Sequence, residues 1–237
     1  MPLDTYRRKR RFGVTPEPRG EKSPRKRAAR ALAYVVQKHR ATRLHYDFRL
    51  EWKGVLLSWA VPRGPSLDPA VKRLAVPTED HPLEYAAFEG IIPAGEYGGG
   101  TVMIWDRGTW RPEVPDVDAA LARGELKFTL EGEKLAGSWV LVRTGRSAAT
   151  GGRPGWLLIK HRDAAASSED LVETRPRSAT TNRLLVEIAR DEGGDIARAA
   201  DADPAPALRE LLRTATKRSS ASGKPKRRAN KTPARRA

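Results

Sequence analysis

His39, His45 and His81 are three of the four histidines in this chain, and the first two share a short stretch with a carboxylate and a guanidinium. The stretch reads Val36-Gln37-Lys38-His39, then Leu44-His45-Tyr46-Asp47-Phe48-Arg49. Imidazole is the commonest transition-metal ligand at neutral pH. Two histidines and an aspartate within nine residues, followed by an arginine, point to a metal beside an anion. Two imidazoles and one carboxylate suit Mn²⁺, Fe²⁺ or Zn²⁺, and three protein ligands leave positions open for water or a phosphoryl oxygen. The chain has no cysteine, so disulfides and thiolate sites are excluded and His, Asp and Glu are the ligands left.

The elements that must hold these residues are legible from the same stretch. From Leu44 to Trp52 apolar and polar residues alternate strictly: Leu44, Tyr46, Phe48, Leu50 and Trp52 against His45, Asp47, Arg49 and Glu51. That period is a half-buried strand, and its pleat presents His45, Asp47 and Arg49 in line on one face. The preceding β-prone run ends at His39, and Arg40-Ala41-Thr42-Arg43 then separates the two segments. A hairpin brings His39 back beside His45. A polar strand face is usually only solvated and a lone histidine is usually structural; the convergence argues for a site. His161, at the end of an apolar run, reads as structural.

These residues carry a resemblance. The segment 35–51, Ser58-Trp59-Ala60-Val61-Pro62-Arg63-Gly64-Pro65-Ser66, Glu79-Asp80-His81-Pro82-Leu83-Glu84-Tyr85 and Gly95-Glu96-Tyr97-Gly98-Gly99-Gly100-Thr101-Val102 resemble the 3′-phosphoesterase domain of bacterial DNA ligase D. The likeness runs from about residue 3 to residue 163. It implies that His39, His45 and Asp47 bind Mn²⁺ and that Arg49, His81 and Tyr85 hold the scissile phosphate. It also implies that Arg63 and Arg73 are basic residues of the active site. The implied activity is trimming of DNA 3′ ends: removal of a terminal ribonucleoside, then of the 3′-phosphate, to leave a 3′-hydroxyl. His81 is read either as a proton donor or as a transition-state stabiliser. One departure lies in the amino-terminal arm: Arg10, Phe12, Thr15 and Glu17 fit the family's pattern, but Arg11 stands at a usually acidic position.

Charge distribution says more than the net +16. Residues 1–30 hold 11 basic and 3 acidic residues, residues 214–237 hold 9 basic and none acidic, and the middle is close to neutral. Basic arms give salt-dependent, sequence-blind affinity for a polyanion, which suits an enzyme of DNA ends. All six tryptophans fall between Trp52 and Trp156, so the core is central. No apolar run is long enough for a membrane span and the start does not read as a secretory signal. The expectation is a soluble, cytoplasmic, nucleoid-associated protein.

Successive short strands follow the first hairpin: 55–61 after a Lys53-Gly54 turn, 73–77, 101–105, a turn at 106–108 into Thr109-Trp110, then 127–130, 138–143 and 156–160. Residues 116–123 read as one short helix with Asp116 as its cap. The Gly-rich loop 93–100 lacks the Lys-Ser/Thr and the helix of a P-loop. It is read as a close approach of backbone to the site or a plain loop, with Glu96 and Tyr97 at the groove.

The expected fold is mainly β: a single β-barrel-like domain with a short helix, flanked by basic, disordered tails. Its parts are an arm at 1–30, the barrel at 31–163, a linker and weak helices at 164–213, and a disordered tail at 214–237. The helical spacings are at 182–191 and 205–213; 167–178 reads as linker. No ligase or polymerase portion is present, so the chain reads as a freestanding trimming enzyme, with a repair ligase or polymerase supplied in trans. Two rivals compete: a non-haem iron oxygenase, which predicts His81 as a ligand, and a DNA-end-binding module whose metal site has decayed.

Overall fold

The computed structural model describes residues 3–21, 31–146, 150, 152 and 154–222. The chain divides into two compact units, Met1–Asp203 and Pro204–Ala237.

Among the described residues the first unit is built on ten strands: β1 (Leu32–Arg40), β2 (Leu44–Trp52), β3 (Val55–Val61), β4 (Lys72–Pro77), β5 (His81–Pro82), β6 (Gly90–Ile92), β7 (Gly100–Pro112), β8 (Glu125–Gly132), β9 (Ala136–Arg146) and β10 (Pro154–Lys160). Eight close a barrel in the order β1-β2-β3-β4-β10-β9-β8-β7, with β7 returning to β1, while β5 pairs with β3 and β6 with β7. Closure leaves the barrel strands no open edge. Alternation along each strand sorts the side chains. Tyr34 and Val36, Tyr46, Phe48 and Leu50, Trp59 and Val61, Trp105, Phe128, Trp139 and Trp156 form the central core. The opposite parity of β1, β2 and β3 faces outward, and that outer face carries the site.

Outer-face residues are covered by a second, smaller core of Tyr6, Leu56 and Tyr85, with Phe12, Leu83, Ala86 and Phe88 against it. This cover comes from the amino-terminal arm and from the 3₁₀ turn Leu83–Ala87 after β5. The arm is therefore no disordered tail over residues 3–21. It opens with helix α1 (Asp4–Arg8), Tyr6 is fully buried, and the Tyr6 hydroxyl donates to the Pro18 carbonyl at 2.6 Å. Two aromatic anchors among the arginines turn a charge run into a docked strap. Residues 22–30 lie outside the described residues.

Strand β7 corrects a second expectation, because the turn read at 106–108 is continuous strand. The Asp106 carboxylate accepts from the Tyr34 hydroxyl at 2.6 Å and from the backbone of Lys134 and Leu135, so a turn-forming side chain is satisfied within the sheet. Gly108 is required by contact, since a Cβ there would lie 2.1 Å from the Glu131 carbonyl oxygen. The short helix falls where expected, as α2 (Val117–Arg123), with the Asp116 carboxylate accepting from Ala119 N.

The segment read as a linker belongs to this unit. Helices α3 (Leu171–Thr174), α4 (Leu185–Glu192) and α5 (Ile196–Ala200) give Leu171, Leu185, Ile188, Ala189 and Ala199 to the central core. Trp105 Nε1 donates to the Arg175 carbonyl at 3.0 Å. In the second unit, α6 (Ala205–Ser222) starts where the spacing predicts and continues past Thr214, into the region expected to be disordered. The tail beyond it, 223–237, lies outside the described residues.

Candidate active site

The β1–β2 register sets His39 directly opposite His45 and Gln37 opposite Asp47. The β2–β3 register then places Arg49 opposite Ser58. Ligand atoms of His39, His45 and Asp47 all lie within 4.8 Å of one another. His39 Nδ1 is 3.5 Å and His45 Nε2 is 3.6 Å from the same oxygen, Asp47 Oδ2.

The far nitrogens decide which way these rings work. His39 Nε2 lies 2.8 Å from the Gly98 carbonyl oxygen, and His45 Nδ1 lies 3.0 Å from that of Arg43. A carbonyl oxygen only accepts, so each of these nitrogens carries the proton and donates it. The inner nitrogens, His39 Nδ1 and His45 Nε2, face Asp47 and are the ones open to a metal, with the outer nitrogens held by carbonyls in the manner of metal-binding histidines. The donor set therefore fits a divalent transition metal. Burial works against the Asp47 carboxylate, but the Arg49 charge and the hydrogen bonds of His39 and His45 outweigh it and hold it ionised well below the usual carboxylate range. His45 is raised above its ordinary value: burial opposes this, and the Asp47 hydrogen bond and charge prevail.

Arg49 is fixed on three sides. Its Nε donates to Gln37 Oε1 at 2.8 Å, Nη1 to Ser58 Oγ at 2.8 Å, and Nη2 faces Asp47 Oδ2 at 3.2 Å. Gln37 is itself pinned, donating to the carbonyls of Tyr85 and Phe88 at 3.1 and 2.7 Å. Sequence reasoning passed over Gln37, although an amide inside the apolar run of β1 was the available signal.

His81 sits between two guanidiniums. Arg49 Nη1 lies 2.9 Å from its Nδ1 and Arg10 Nη2 lies 3.2 Å from its Nε2, while Nδ1 is also 2.8 Å from the Glu79 carbonyl oxygen. The consistent assignment is Nδ1–H donating to Glu79 and Nε2 accepting from Arg10. Burial first, then the Arg49 and Arg10 charges, push the imidazole well below its usual value, so it is neutral. Its ring packs at 4.7 Å from that of Tyr85, and the Tyr85 hydroxyl donates to Glu17 Oε1 at 3.0 Å. Burial, reinforced by the Glu17 charge, raises Tyr85 well above its ordinary value and keeps it protonated.

The arm supplies the next layer. Arg10 Nε meets Glu17 Oε1 at 2.7 Å and its Nη1 meets Glu79 Oε1 at 3.1 Å. Arg11 pairs with Glu96 of the Gly-rich loop. That loop does approach the site by its backbone, through Gly98. At its end, Gly100 passes so close to β1 that a Cβ would lie 2.1 Å from the Arg40 carbonyl oxygen.

Two expected residues lie outside this bonded network. Arg63 is exposed just past β3, and Arg73 is half-buried in β4 with its Nε buried and unpartnered. Among the described residues neither is joined to the cluster by a hydrogen bond or ion pair. His161 is a plain structural histidine, 2.7 Å from Ser138 Oγ. His81 falls outside the ligand group, where the oxygenase reading required it.

Comparison with known proteins finds similarity over the same segment. Residues 37–143, which include His39, His45, Asp47, Arg49, His81 and Tyr85, match the family model described as the DNA ligase D 3′-phosphoesterase domain. Residues 37–143 bear the pattern of a DNA ligase D 3′-phosphoesterase domain. It is 54% identical over 188 residues to the multifunctional non-homologous end joining protein LigD of Pseudomonas aeruginosa, covering 78% of this chain and 22% of that one. It is 48% identical over 142 residues to the multifunctional non-homologous end joining DNA repair protein LigD of Mycobacterium tuberculosis, covering 60% and 18%. The LigD of Mycolicibacterium smegmatis is 46% identical over 147 residues, covering 60% and 19%. The chain thus spans about a fifth of the length of these relatives. The segment matching the phosphoesterase model lies within unit 1, and the arm and helices α3 to α5 complete that unit around it. Among the described residues no helix is long and apolar enough to cross a membrane.

Proposed function

We propose that this protein is a metal-dependent phosphoesterase that trims DNA 3′ ends in repair by end joining. It removes a terminal ribonucleoside and then the 3′-phosphate to leave a 3′-hydroxyl. The observation that carries the reading is the pairing of two sites on one sheet face: three convergent ligands at His39, His45 and Asp47, and Arg49 3.2 Å from Asp47. His39, His45 and Asp47 would hold a divalent ion, Mn²⁺ in this proposal, which would neutralise phosphoryl charge and lower the pKa of a water.

The chain's own groups do the rest. Arg49 reaches the phosphate as a fixed fork, because Gln37, Ser58 and Asp47 hold its orientation before substrate arrives. Tyr85 stays protonated, and when its hydroxyl turns from Glu17 it donates to a phosphoryl oxygen. His81 is neutral in the free protein, so it acts first as a spacer that keeps Arg10 and Arg49 apart. A bound phosphate would offset both guanidiniums and let the ring take up a proton for the leaving oxygen. Arg63 and Arg73, which make no bond to the cluster among the described residues, fit a role toward the substrate strand. The basic tails supply sequence-blind grip on DNA.

The test is product analysis. Duplex primers ending in one ribonucleotide or in a 3′-phosphate are incubated with the protein and Mn²⁺. The expected product is a 3′-hydroxyl end; unchanged primers at saturating Mn²⁺ would refute the proposal.

A further inference from the structure

The proposed reaction uses the walls of the site and leaves one residue at its mouth without a task. Tyr97 is 50% exposed, one of the few large apolar-bodied side chains that the fold leaves in water. Its chain neighbour Gly98 gives its carbonyl oxygen to His39 at 2.8 Å, which ties Tyr97 to the metal side. On the phosphate side, Lys9 Nζ donates to the Tyr97 hydroxyl at 3.0 Å and also meets Glu79 Oε2 at 2.9 Å. The Glu79 backbone oxygen in turn holds His81 at 2.8 Å. The Tyr97 ring centroid lies 5.7 Å from the Arg10 guanidinium, whose Nη2 is 3.2 Å from His81 Nε2. Tyr97 therefore stands at the lip between the two halves of the site.

The ring is also held still. Glu96 N bonds to the Pro93 carbonyl and Gly99 N to that of Glu96, and the Glu96 side chain is buried and paired with Arg11. An isolated exposed aromatic means little by itself. Here a fixed ring carries two cations, Lys9 at 4.4 Å and Arg10 at 5.7 Å from its centroid, beside a cluster built for phosphate. Every nucleobase has a π-face, so stacking on an aromatic side chain is tolerant of sequence, and cations alongside favour the attached phosphates.

We propose that Tyr97 is a stacking platform for the base of the nucleotide that bears the scissile 3′-phosphate, an inference that rests on the phosphoesterase reading above. It makes the enzyme recognise the terminal nucleoside as an object of a given shape, with no preference among the four bases.

Two measurements on the full-length protein test this. In the first, a primer carrying 2-aminopurine at its 3′-terminal nucleotide is bound without metal, so no hydrolysis intervenes. The expected result is quenching by the parent and by Tyr97→Trp, and loss of quenching with Tyr97→Ala. In the second, KM is compared on 3′-phosphate primers whose last residue bears a base or is an abasic tetrahydrofuran. Tyr97→Ala is expected to raise KM about 10-fold on the base-bearing end and to leave it unchanged on the abasic end, with kcat steady on both. Tyr97→Phe keeps the ring and is expected to behave as the parent. Equal quenching by parent and Tyr97→Ala, or a Tyr97→Ala penalty of the same size on both ends, would overturn the platform. If the parent hydrolyses neither primer, the phosphoesterase reading fails, and the quenching experiment still decides the role of Tyr97.

Discussion

The ammonium of Lys38 lies 2.9 Å from the carboxylate of Asp203, with 1% and 0% of the two side chains exposed. Lys38 immediately precedes His39 in β1, and Asp203 also accepts from Val186 N at 2.9 Å, so this pair fastens the carboxy-terminal helices of the first unit to the strand that carries a metal ligand. Removing one partner from a buried ion pair strands the other charge, at a cost of roughly 3–5 kcal/mol. Asp203→Ala is expected to lower stability by about that amount in urea unfolding. Lys38→Met combined with Asp203→Leu is expected to recover most of the loss. A double variant as unstable as the single one would show that the loss does not come from a stranded charge.

Glu17 concentrates three bonds on one buried carboxylate: Arg10 Nε at 2.7 Å, the Tyr85 hydroxyl at 3.0 Å and Thr15 Oγ1 at 2.9 Å. Glu17→Gln keeps the shape and removes the charge that balances Arg10. The expected outcome is a loss of turnover of roughly 10²-fold, the scale for losing one preorganised electrostatic partner, with a smaller change in KM. Steady-state kinetics on a 3′-phosphate primer check this. Unaltered turnover would mean that the arm is packing alone.

His81 gives the fold a pH dependence whose sign follows from its surroundings. Burial and the neighbouring arginines depress its folded value well below 6.5, whereas the unfolded chain titrates near the ordinary value. Below about pH 6.5 the unfolded state binds a proton that the folded state does not, so stability falls as pH drops; above it this residue contributes no slope. Chemical unfolding of the metal-free protein between pH 5 and 8 reads this directly. The comparison with His81→Gln isolates it, and an identical slope in both proteins would assign the dependence elsewhere.

Much of the site was legible because a strand hides little: with period two, His45, Asp47 and Arg49 had to share a face, and a hairpin had to set His39 across from His45. The barrel followed from alternation and turn chemistry for the same reason. What escaped was set by distant parts of the chain. Arg10 and Glu17 fit the family's pattern, but their contacts with His81 and Tyr85 appear only once Tyr6 and Phe12 are seen to dock the arm. The Asp106-Arg107-Gly108 stretch has turn residues, but its polar group is satisfied by Tyr34 and its glycine answers the approach of β8. Leu171 and Ile188 lie in short, polar-flanked segments whose burial depends on a barrel surface that no local pattern announces.

The seven Lys and Arg residues in 223–237 carry a prediction about binding alone. Truncation after Ser222 is expected to weaken DNA binding and to reduce the slope of log K against log salt, by up to about 0.9 for each phosphate that the tail no longer neutralises. Turnover on a short 3′-phosphate substrate is expected to stay constant. Fluorescence anisotropy over a salt series measures the slope, and an unaltered slope would remove the tail from the DNA interface.

The central claim is that His39, His45 and Asp47 hold a metal that the end-trimming chemistry needs. It is tested most directly by titrating Mn²⁺ into the metal-free protein, following occupancy by electron paramagnetic resonance and hydrolysis of a 3′-phosphate primer in the same samples. Activity is predicted to rise in step with one bound Mn²⁺ per chain, and His45→Ala is predicted to lose both the high-affinity signal and the hydrolysis. Full hydrolysis without bound metal, or by a His45→Ala protein that no longer binds it, would contradict the account.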